Sequence, residues 1–568
     1  MKRGREEDQS PAATNIPRAP VETMGSSPMP SFNIERATMV VENVSLSLTA
    51  AEADILAVML EAVEASGKQT IVRVAGGWVR DKHLGLENDD IDIALDNCTG
   101  VEFAEMVNAH LKDKGEVTHN VAVIEANPDQ SKHLETARLK IMGVWVDLVN
   151  LRTETYSEDS RIPEAKFGTA EEDALRRDFT VNALFYNANT KEVEDFTGRG
   201  LDDMREGIIR TPLPPTVTFL DDPLRVLRAV RFAARFGFSM QKDLVAAAKD
   251  SRIQTALRSK VSRERVGTEV SGMLSGKMAQ PALALSRLEE LGLLESVFTL
   301  PPALTPPPPD GGYNWSRGVA AARAAARLMS KQANAAAQTE AGVAEGGGAM
   351  SGANACVREL FLSCVLVPLS GVGHVAKKGK VVPAAQFVLR ESLKLKAKEA
   401  ENVAEILKAL PAFQTLADTL AAKKAGKGRD KADGGVSSLR VDCGVAVRQV
   451  KGLWGTCVAV NCALELSQRE DGYGHTDASE EPPSNWEEVV TAKHEGLRSE
   501  IMSMGLGQAW TLRPLLGGND IIKSLNVPKG PSVGKLMAQQ VLWQLEHPEG
   551  TAEQSMEHLA SLWSSKDF

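Results

Sequence analysis

Residues 76–95 read Gly76-Gly77-Trp78-Val79-Arg80-Asp81-Lys82-His83-Leu84-Gly85-Leu86-Glu87-Asn88-Asp89-Asp90-Ile91-Asp92-Ile93-Ala94-Leu95. The end of this stretch alternates acid and aliphatic residues, the pattern of a strand. Residues two apart in a strand share a face, so Asp90 and Asp92 lie side by side while Ile91 and Ile93 turn to the core. Two close carboxylates repel unless a cation sits between them. Hard oxygen ligands suit Mg²⁺, which keeps several waters and takes substrate phosphates as further ligands. The Gly76-Gly77 pair lets backbone approach such phosphates closely. A glycine turn followed by an acidic strand is the minimal kit for metal-assisted nucleotidyl transfer. A lone Asp-x-Asp is most often a solvated strand edge, so the neighbouring sequence decides.

Outward from this stretch, residues 41–211 alternate helix and strand patterns. Ala51–Ala65 and Val101–Lys112 have helical spacing. Thr70–Val74, Ile91–Leu95, Val121–Ala126, Thr136–Ile141 and Val144–Asn150 read as strands, which predicts a mixed sheet with helices. From Asp221 the signal turns helical, over Asp222–Phe236, Lys242–Ala248, Arg263–Met273 and Gln280–Leu291. The stretch from Pro301 to about Ala355 is a proline run followed by Ala- and Gly-rich sequence. Ala421–Gly435 is rich in Lys, Gly and Asp. Both are expected to be flexible insertions. The expected division is a disordered terminus (1–40), a head (41–211), a helical neck (212–300), the low-complexity insertion (301–355) and a helical body and tail (356–568).

Composition narrows the class. With 568 residues, several domains are expected. No apolar run reaches about 18 residues, so no membrane-spanning helix is expected. Cys98, Cys356, Cys364, Cys443, Cys457 and Cys462 form no C-x-x-C pair and read as reduced thiols. The net charge of −10 does not by itself suggest a nucleic-acid partner; such a partner would need a local basic face. Glu6-Glu7-Asp8 argues against a typical mitochondrial presequence. Met24, Met29 and Met39 offer alternative starts. The expected compartment is cytoplasm, nucleus or both, with a mitochondrial or plastid form from such starts.

Taken together, Gly76-Gly77-Trp78-Val79-Arg80-Asp81 and Asp90-Ile91-Asp92 resemble the signature of the class II tRNA nucleotidyltransferase and bacterial-type poly(A) polymerase family. The resemblance implies an α+β fold: a polymerase-β-type head followed by an all-helical neck, body and tail. It implies that Asp90 and Asp92 hold two Mg²⁺ ions, that Gly76 and Gly77 hold the incoming triphosphate, with Arg80 beside them, and that Asp147, in Val146-Asp147-Leu148, is a third catalytic carboxylate. Arg176-Arg177-Asp178-Phe179-Thr180-Val181-Asn182 resembles the family motif for the ribose and phosphates. Guanidinium forks suit phosphate, and a carboxylate suits ribose hydroxyls. Asp195–Gly200 resembles the hinge between head and neck.

Asp221-Asp222-Pro223-Leu224-Arg225 is similar to the nucleotide-selecting motif, with Asp221 where the family has Glu. A spacing of three is expected to place Asp222 and Arg225 on one helix face. There they would imitate a base edge and choose C and A without a template, each refused base leaving polar groups unpaired at about 1–3 kcal/mol. Arg228, Arg231 and Arg235 continue that face, and the resemblance favours Arg228. Ser262–Glu269 resembles a fifth motif that props the preceding helix, read with Ser262 as N-cap and an Arg265–Glu269 pair.

A flexible loop over Asn150–Thr169 matches the element associated with switching from C to A, which favours full CCA addition. The segments Pro514–Asp520, Pro528–Pro531 and Trp543–Gly550 resemble the tail of eukaryotic CCA-adding enzymes. The implied reaction is template-independent addition of CCA to tRNA from CTP and ATP. The acceptor arm would be held along the helical part by backbone phosphates and shape. Lys377, Lys378 and Lys380, and Lys423, Lys424, Lys427, Arg429 and Lys431, are either phosphate contacts or solvated loops. The alternatives are a poly(A) polymerase of the same family and a catalytically silent tRNA-binding protein.

Overall fold

The computed structural model describes residues 46–565, except 125–135, 158–159, 310–311, 340–349, 377–378, 427–437 and 471–484. The expectations for the N-terminus, and for Lys377, Lys378, Lys427, Arg429 and Lys431, lie outside the described residues.

The head begins with α1 (Ala50–Ser66), started by a Thr49/Glu52 capping box and ended by Gly67 in the left-handed region. There follow β1 (Val72–Ala75), α2 (Gly77–His83), β2 (Ile91–Leu95), α3 (Gly100–Asp113), β3 (Ala122–Ile124), β4 (Thr136–Ile141) and β5 (Val144–Asn150). After these come β6 (Arg152–Ser157), β7 (Ser160–Phe167), α4 (Ala170–Leu175), β8 (Phe185–Asn187), β9 (Glu192–Glu194) and α5 (Gly200–Glu206). Seven strands form one sheet in the order β3-β4-β5-β2-β1-β8-β9. Only the β2–β5 pairing is parallel, and it sets Asp92 opposite Asp147.

Alternation divides the two faces. Val72, Val74, Ile91, Ile93, Leu139, Val146 and Leu148 are buried in the main core, on which α1 and α3 pack. The other face carries Asp92, Asp147 and Ala94. Part of it is closed by a small cluster in which Ala170 and Ala174 of α4 pack with Ala75, Ala94 and Phe185.

A short parallel pair, β10 (Ile208–Ile209) with β11 (Ser239–Met240), ties the head to the neck. The neck holds α6 (Pro215–Asp221), α7 (Leu224–Phe236), α8 (Lys242–Ala248), α9 (Ser251–Lys260), α10 (Arg263–Leu274), α11 (Pro281–Glu290) and α12 (Leu294–Val297). Helix α7 buries Val226, Leu227, Val230 and Ala233, and turns Arg225, Arg228, Arg231 and Arg235 to its other side. Among the described residues, the body and tail are helical except for a small antiparallel pair, Gly373–Val375 with Val381–Pro383. The expected all-helical remainder is therefore helical with two small strand pairs. No described helix is long and apolar enough to cross a membrane. Cys98, Cys364, Cys443, Cys457 and Cys462 are free and buried.

Four expectations change. The segment 301–355 is not a flexible insertion throughout, because Trp315–Thr339 forms a helix, α13, packed on α11 and on the helix Trp454–Glu470. Alanine is the best helix former, and small side chains let helices approach closely. Ala321, Ala322, Ala324 and Ala325 are buried, and a Cβ on Gly318 would lie 2.5 Å from the Val365 carbonyl oxygen. The loop expected after Asn150 is the antiparallel hairpin β6–β7. In 421–435, helix continues to Lys424, and 427–435 lie outside the described residues. Lastly, α7 starts at Leu224, after Pro223, so Asp222 precedes the helix rather than sharing its face with Arg225.

Candidate active site

A cavity of about 890 Å³ opens between the outer sheet face and α7. Asp90 and Asp92 line one side. Ligand oxygens of Asp90, Asp92 and Asp147 lie within 4.8 Å of one another. The cause is local: Asp90 and Asp92 share a face by alternation, and parallel register brings Asp147 beside Asp92. Partial burial, then the Asp90 charge, push the Asp92 carboxyl up to about 6, although Arg177 opposes this. Arg138 Nε lies 2.6 Å from Asp147 Oδ1, out of line for a hydrogen bond. A crowded, incompletely neutralised set of hard oxygens fits a divalent cation such as Mg²⁺.

Next to the acids is the glycine turn. Gly76 has φ +61° and ψ −109°, and a Cβ there would lie 2.5 Å from Arg177 Nη1 and 3.0 Å from the Asn182 carbonyl oxygen. Both conformation and space demand glycine. Helix α2 is fixed from outside the site by Glu52, which accepts from Trp78 Nε1 at 3.0 Å and from Lys82 Nζ at 2.6 Å. Asn88 joins turn to acids: its Nδ2 donates to Asp81 Oδ2 at 2.8 Å, and its Oδ1 accepts from the Asp90 amide at 2.9 Å.

The opposite wall is built of paired arginines. Asp178 accepts from Arg228 Nε at 2.7 Å, from Asn182 Nδ2 at 3.0 Å and from the Phe179 amide at 2.9 Å. Burial alone would raise its pKa, but the Arg228 charge and the bonds from Asn182 and Arg228 outweigh it and hold Asp178 at about 2. Arg231 Nε donates to Glu269 at 2.6 Å. Asp222 accepts from Arg265 Nη2 at 2.6 Å and from Nη1 at 3.2 Å, and Arg225 Nη2 donates to the Arg176 carbonyl at 2.7 Å.

Three comparisons with known proteins bear on this geometry. Residues 72–210 match the poly A polymerase head domain. The CCA tRNA nucleotidyltransferase, mitochondrial, of Saccharomyces cerevisiae is 33% identical over 86% of this chain and 88% of its own length. The tRNA nucleotidyltransferase cca2 of Schizosaccharomyces pombe is 32% identical over 89% of this chain and 95% of its own. The chain belongs to the CCA-adding tRNA nucleotidyltransferase family. Its fold is also that of a CCA-adding enzyme in an apo form, with TM-score 0.58 over 90% of this chain and 96% of that one at 18% identity. The Thermotoga maritima CCA-adding enzyme complexed with tRNA gives TM-score 0.53 over 90% and 96% of the two chains, also at 18% identity.

For this member of the tRNA nucleotidyltransferases, the cavity gathers most of the residues singled out in the sequence. Gly77, Arg80, Asp90, Asp92, Arg176, Arg177, Asp178, Asn182, Asp222, Arg225 and Arg228 all line it, and Gly76 sits just behind, under Arg177. Asp221 and Asp147 are outside the lining. Asp221, at the end of α6, has its carboxyl raised chiefly by burial.

Arg80 is buried against the rings of Phe232 and Phe236 and donates to Asp81 and Asn182, so it acts as a brace in the wall. Arg176 is likewise engaged, by Asp173, by Glu154 of β6 and by the Arg152 carbonyl. The expected Arg265–Glu269 pair is absent among the described ion pairs. Arg265 instead reaches Asp222, just before α7, and Glu269 reaches Arg231 on α7. Ser262 stands at the N-cap without a side-chain cap bond. Asp173, Asn88 and Arg152 went unnoticed in sequence. Only Asp173 had a local signal, with arginines three and four residues on.

Proposed function

We propose that this chain adds C, C and A in steps to the 3′ end of tRNA, using CTP and ATP and releasing pyrophosphate. The observation that carries this reading is the position of Asp90 and Asp92. They face, across one cavity, a wall of oriented Asp and Arg side chains, in a chain that matches tRNA nucleotidyltransferases over almost nine-tenths of its length.

Asp90, Asp92 and Asp147 would hold two Mg²⁺ ions. Such ions would supply acidification of the attacking 3′-hydroxyl and neutralisation of charge on the departing pyrophosphate. The Gly76 turn gives the triphosphate a close backbone approach, and Arg177 beside it supplies positive charge. Asp178, kept ionised at about 2, orients Arg228 and Asn182 at the nucleotide. Asp222 and Arg225 present an acceptor and a donor fork to the base edge. Each is fixed by a partner, Asp222 by Arg265 and Arg225 by the Arg176 carbonyl. Preorganised donors of this kind need no rearrangement as a base arrives, so a base edge that does not match leaves them unpaired.

The tRNA acceptor arm would follow the helical part through its phosphates, with Lys380, Lys423 and Lys424 as described candidates. The yeast relative named mitochondrial supports an organellar form beside a cytoplasmic or nuclear one.

Purified protein incubated with tRNA lacking CCA, with CTP, ATP and Mg²⁺, should yield tRNA ending in CCA when products are sequenced. A long A tail without C would replace this reading with a poly(A) polymerase. Full incorporation by Asp92→Ala would overturn the metal-site assignment.

A further inference from the structure

The transfer joins two substrates, and the cavity accounts for one of them. Asp90 and Asp92 line the cavity, whereas Asp147 does not. The acids thus stand at a border. On one side is the arginine wall of α7; on the other the sheet continues through β5 and β4 toward its edge.

That continuation is specific. Strand alternation puts Trp145 on the face of Asp147, and cross-strand pairing sets Lys140 opposite Trp145 and Arg138 opposite Asp147. The Arg138 guanidinium lies 5.7 Å from the centre of the Trp145 ring and the Lys140 ammonium 5.9 Å. Helix α4 covers the part of this face around Ala75 and Ala94, but Trp145 remains 45% exposed and the Arg138 side chain 43%. An indole nearly half exposed, with two cations of β4 over its ring and one of them, Arg138, also beside Asp147, contributes little to a stable fold and is a good seat for a nucleotide. A base stacks on an aromatic face, and its phosphate is attracted to the flanking cations.

We infer that Trp145, Lys140 and Arg138 receive the single-stranded 3′ end of the RNA acceptor, so that its terminal hydroxyl reaches Asp147 and Asp92 from the side opposite the incoming nucleotide. This rests on the nucleotidyl-transfer reading and adds to it the seat of the second substrate. Trp145 here is a positioning residue: it acts by holding the acceptor.

The test separates acceptor from nucleotide. For Trp145→Ala, the acceptor-tRNA KM should rise about tenfold, within the range seen for loss of one base–aromatic stack. The KM for CTP should stay unchanged, and Trp145→Phe should recover most of the loss. Binding of an acceptor tRNA with a 3′-deoxy terminus, measured in chelator without nucleotide, should weaken in parallel, which removes catalysis and metal from the readout. Lys140→Gln should lower the slope of log affinity against log salt by about 0.7, the share of one phosphate contact on a single strand. Unchanged acceptor binding by Trp145→Ala, or a rise in the CTP KM instead, would overturn the inference while leaving the function intact. If the wild-type chain incorporates no nucleotide into tRNA, it is the function reading that fails.

Discussion

Asp92 and Asp178 face each other across one cavity and stand in opposite electrostatic states. Asp92 lies on β2 with Asp90 and Asp147 as neighbours, and its carboxyl is pushed up to about 6 by burial and like charge. Asp178 is more deeply buried, yet it is held at about 2, because Arg228 and Asn182 outweigh burial. The same side chain is thus left under-neutralised on one wall and satisfied on the other. The difference fits the proposed roles: the sheet face would take a cation, and the helix wall has its charges committed to holding donors and acceptors in place.

The largest effect that would break this contrast comes from Asp92→Asn. Incorporation should fall about a thousandfold, the several kcal/mol that a bound metal supplies. Melting temperature in metal-free buffer at neutral pH should hold or rise, since a disfavoured charge is removed. A clear drop in melting temperature would mean that Asp92 is a structural ion-pair member like Asp178.

Gly76→Ala comes next. It forces a non-glycine residue into a backbone region costing about 1–3 kcal/mol. It also drives a methyl toward Arg177, so both stability and incorporation should fall. Wild-type kinetics with wild-type melting would remove the turn from the site.

Asp178→Asn should cost about 2 kcal/mol of stability, as Arg228 loses its charged acceptor. The signs with pH then differ between the two walls. Asp92 titrates above its ordinary 3.8, so without metal its term lowers stability as pH rises from about 4 to about 6. Over the same window metal binding should strengthen as the proton leaves. Asp178 titrates below 3.8, so its stabilisation is present above that value and is lost as pH falls toward 2. Denaturation curves of the two Asn variants from about pH 2 to pH 7 check both signs.

Arg265→Ala should have the smallest stability effect, within about 1 kcal/mol for a partly exposed pair. Because it frees Asp222, it should raise misincorporation of U or G, read by sequencing products made with all four nucleotides. Unchanged fidelity would mean that Asp222 is not held for base choice.

The two walls also differed in how far they could be read from sequence. Strands β2, β4 and β5 coincide with the expected Ile91–Leu95, Thr136–Ile141 and Val144–Asn150, because alternation is a local property. It was enough to place Asp90 and Asp92 on one face, whereas Asp147 was pointed to by the family resemblance and reaches Asp92 through the parallel register of β2 and β5. The helix wall depends on partners far apart in the chain. Arg265 with Asp222 and Arg228 with Asp178 are chosen by packing of α7 on α10 and on the head, which no spacing rule reports. Pro223 did carry a signal, since proline at a helix start leaves the preceding residue outside, and it explains the position of Asp222. Alanine-rich α13 was obscured by the Pro- and Gly-rich sequence on either side of it. Polar alternation in β6–β7 lacks the apolar half that identifies a strand buried on one side.

The central claim is that Asp90, Asp92 and Asp147 form a cation site and the Asp178 wall does not. Mn²⁺ binding, followed by the loss of the free-ion electron paramagnetic resonance signal at pH 7.5, measures this without turnover. Wild type and Asp178→Asn should bind the ion alike, and Asp92→Asn should lose it. Equal binding by Asp92→Asn and wild type would contradict the account.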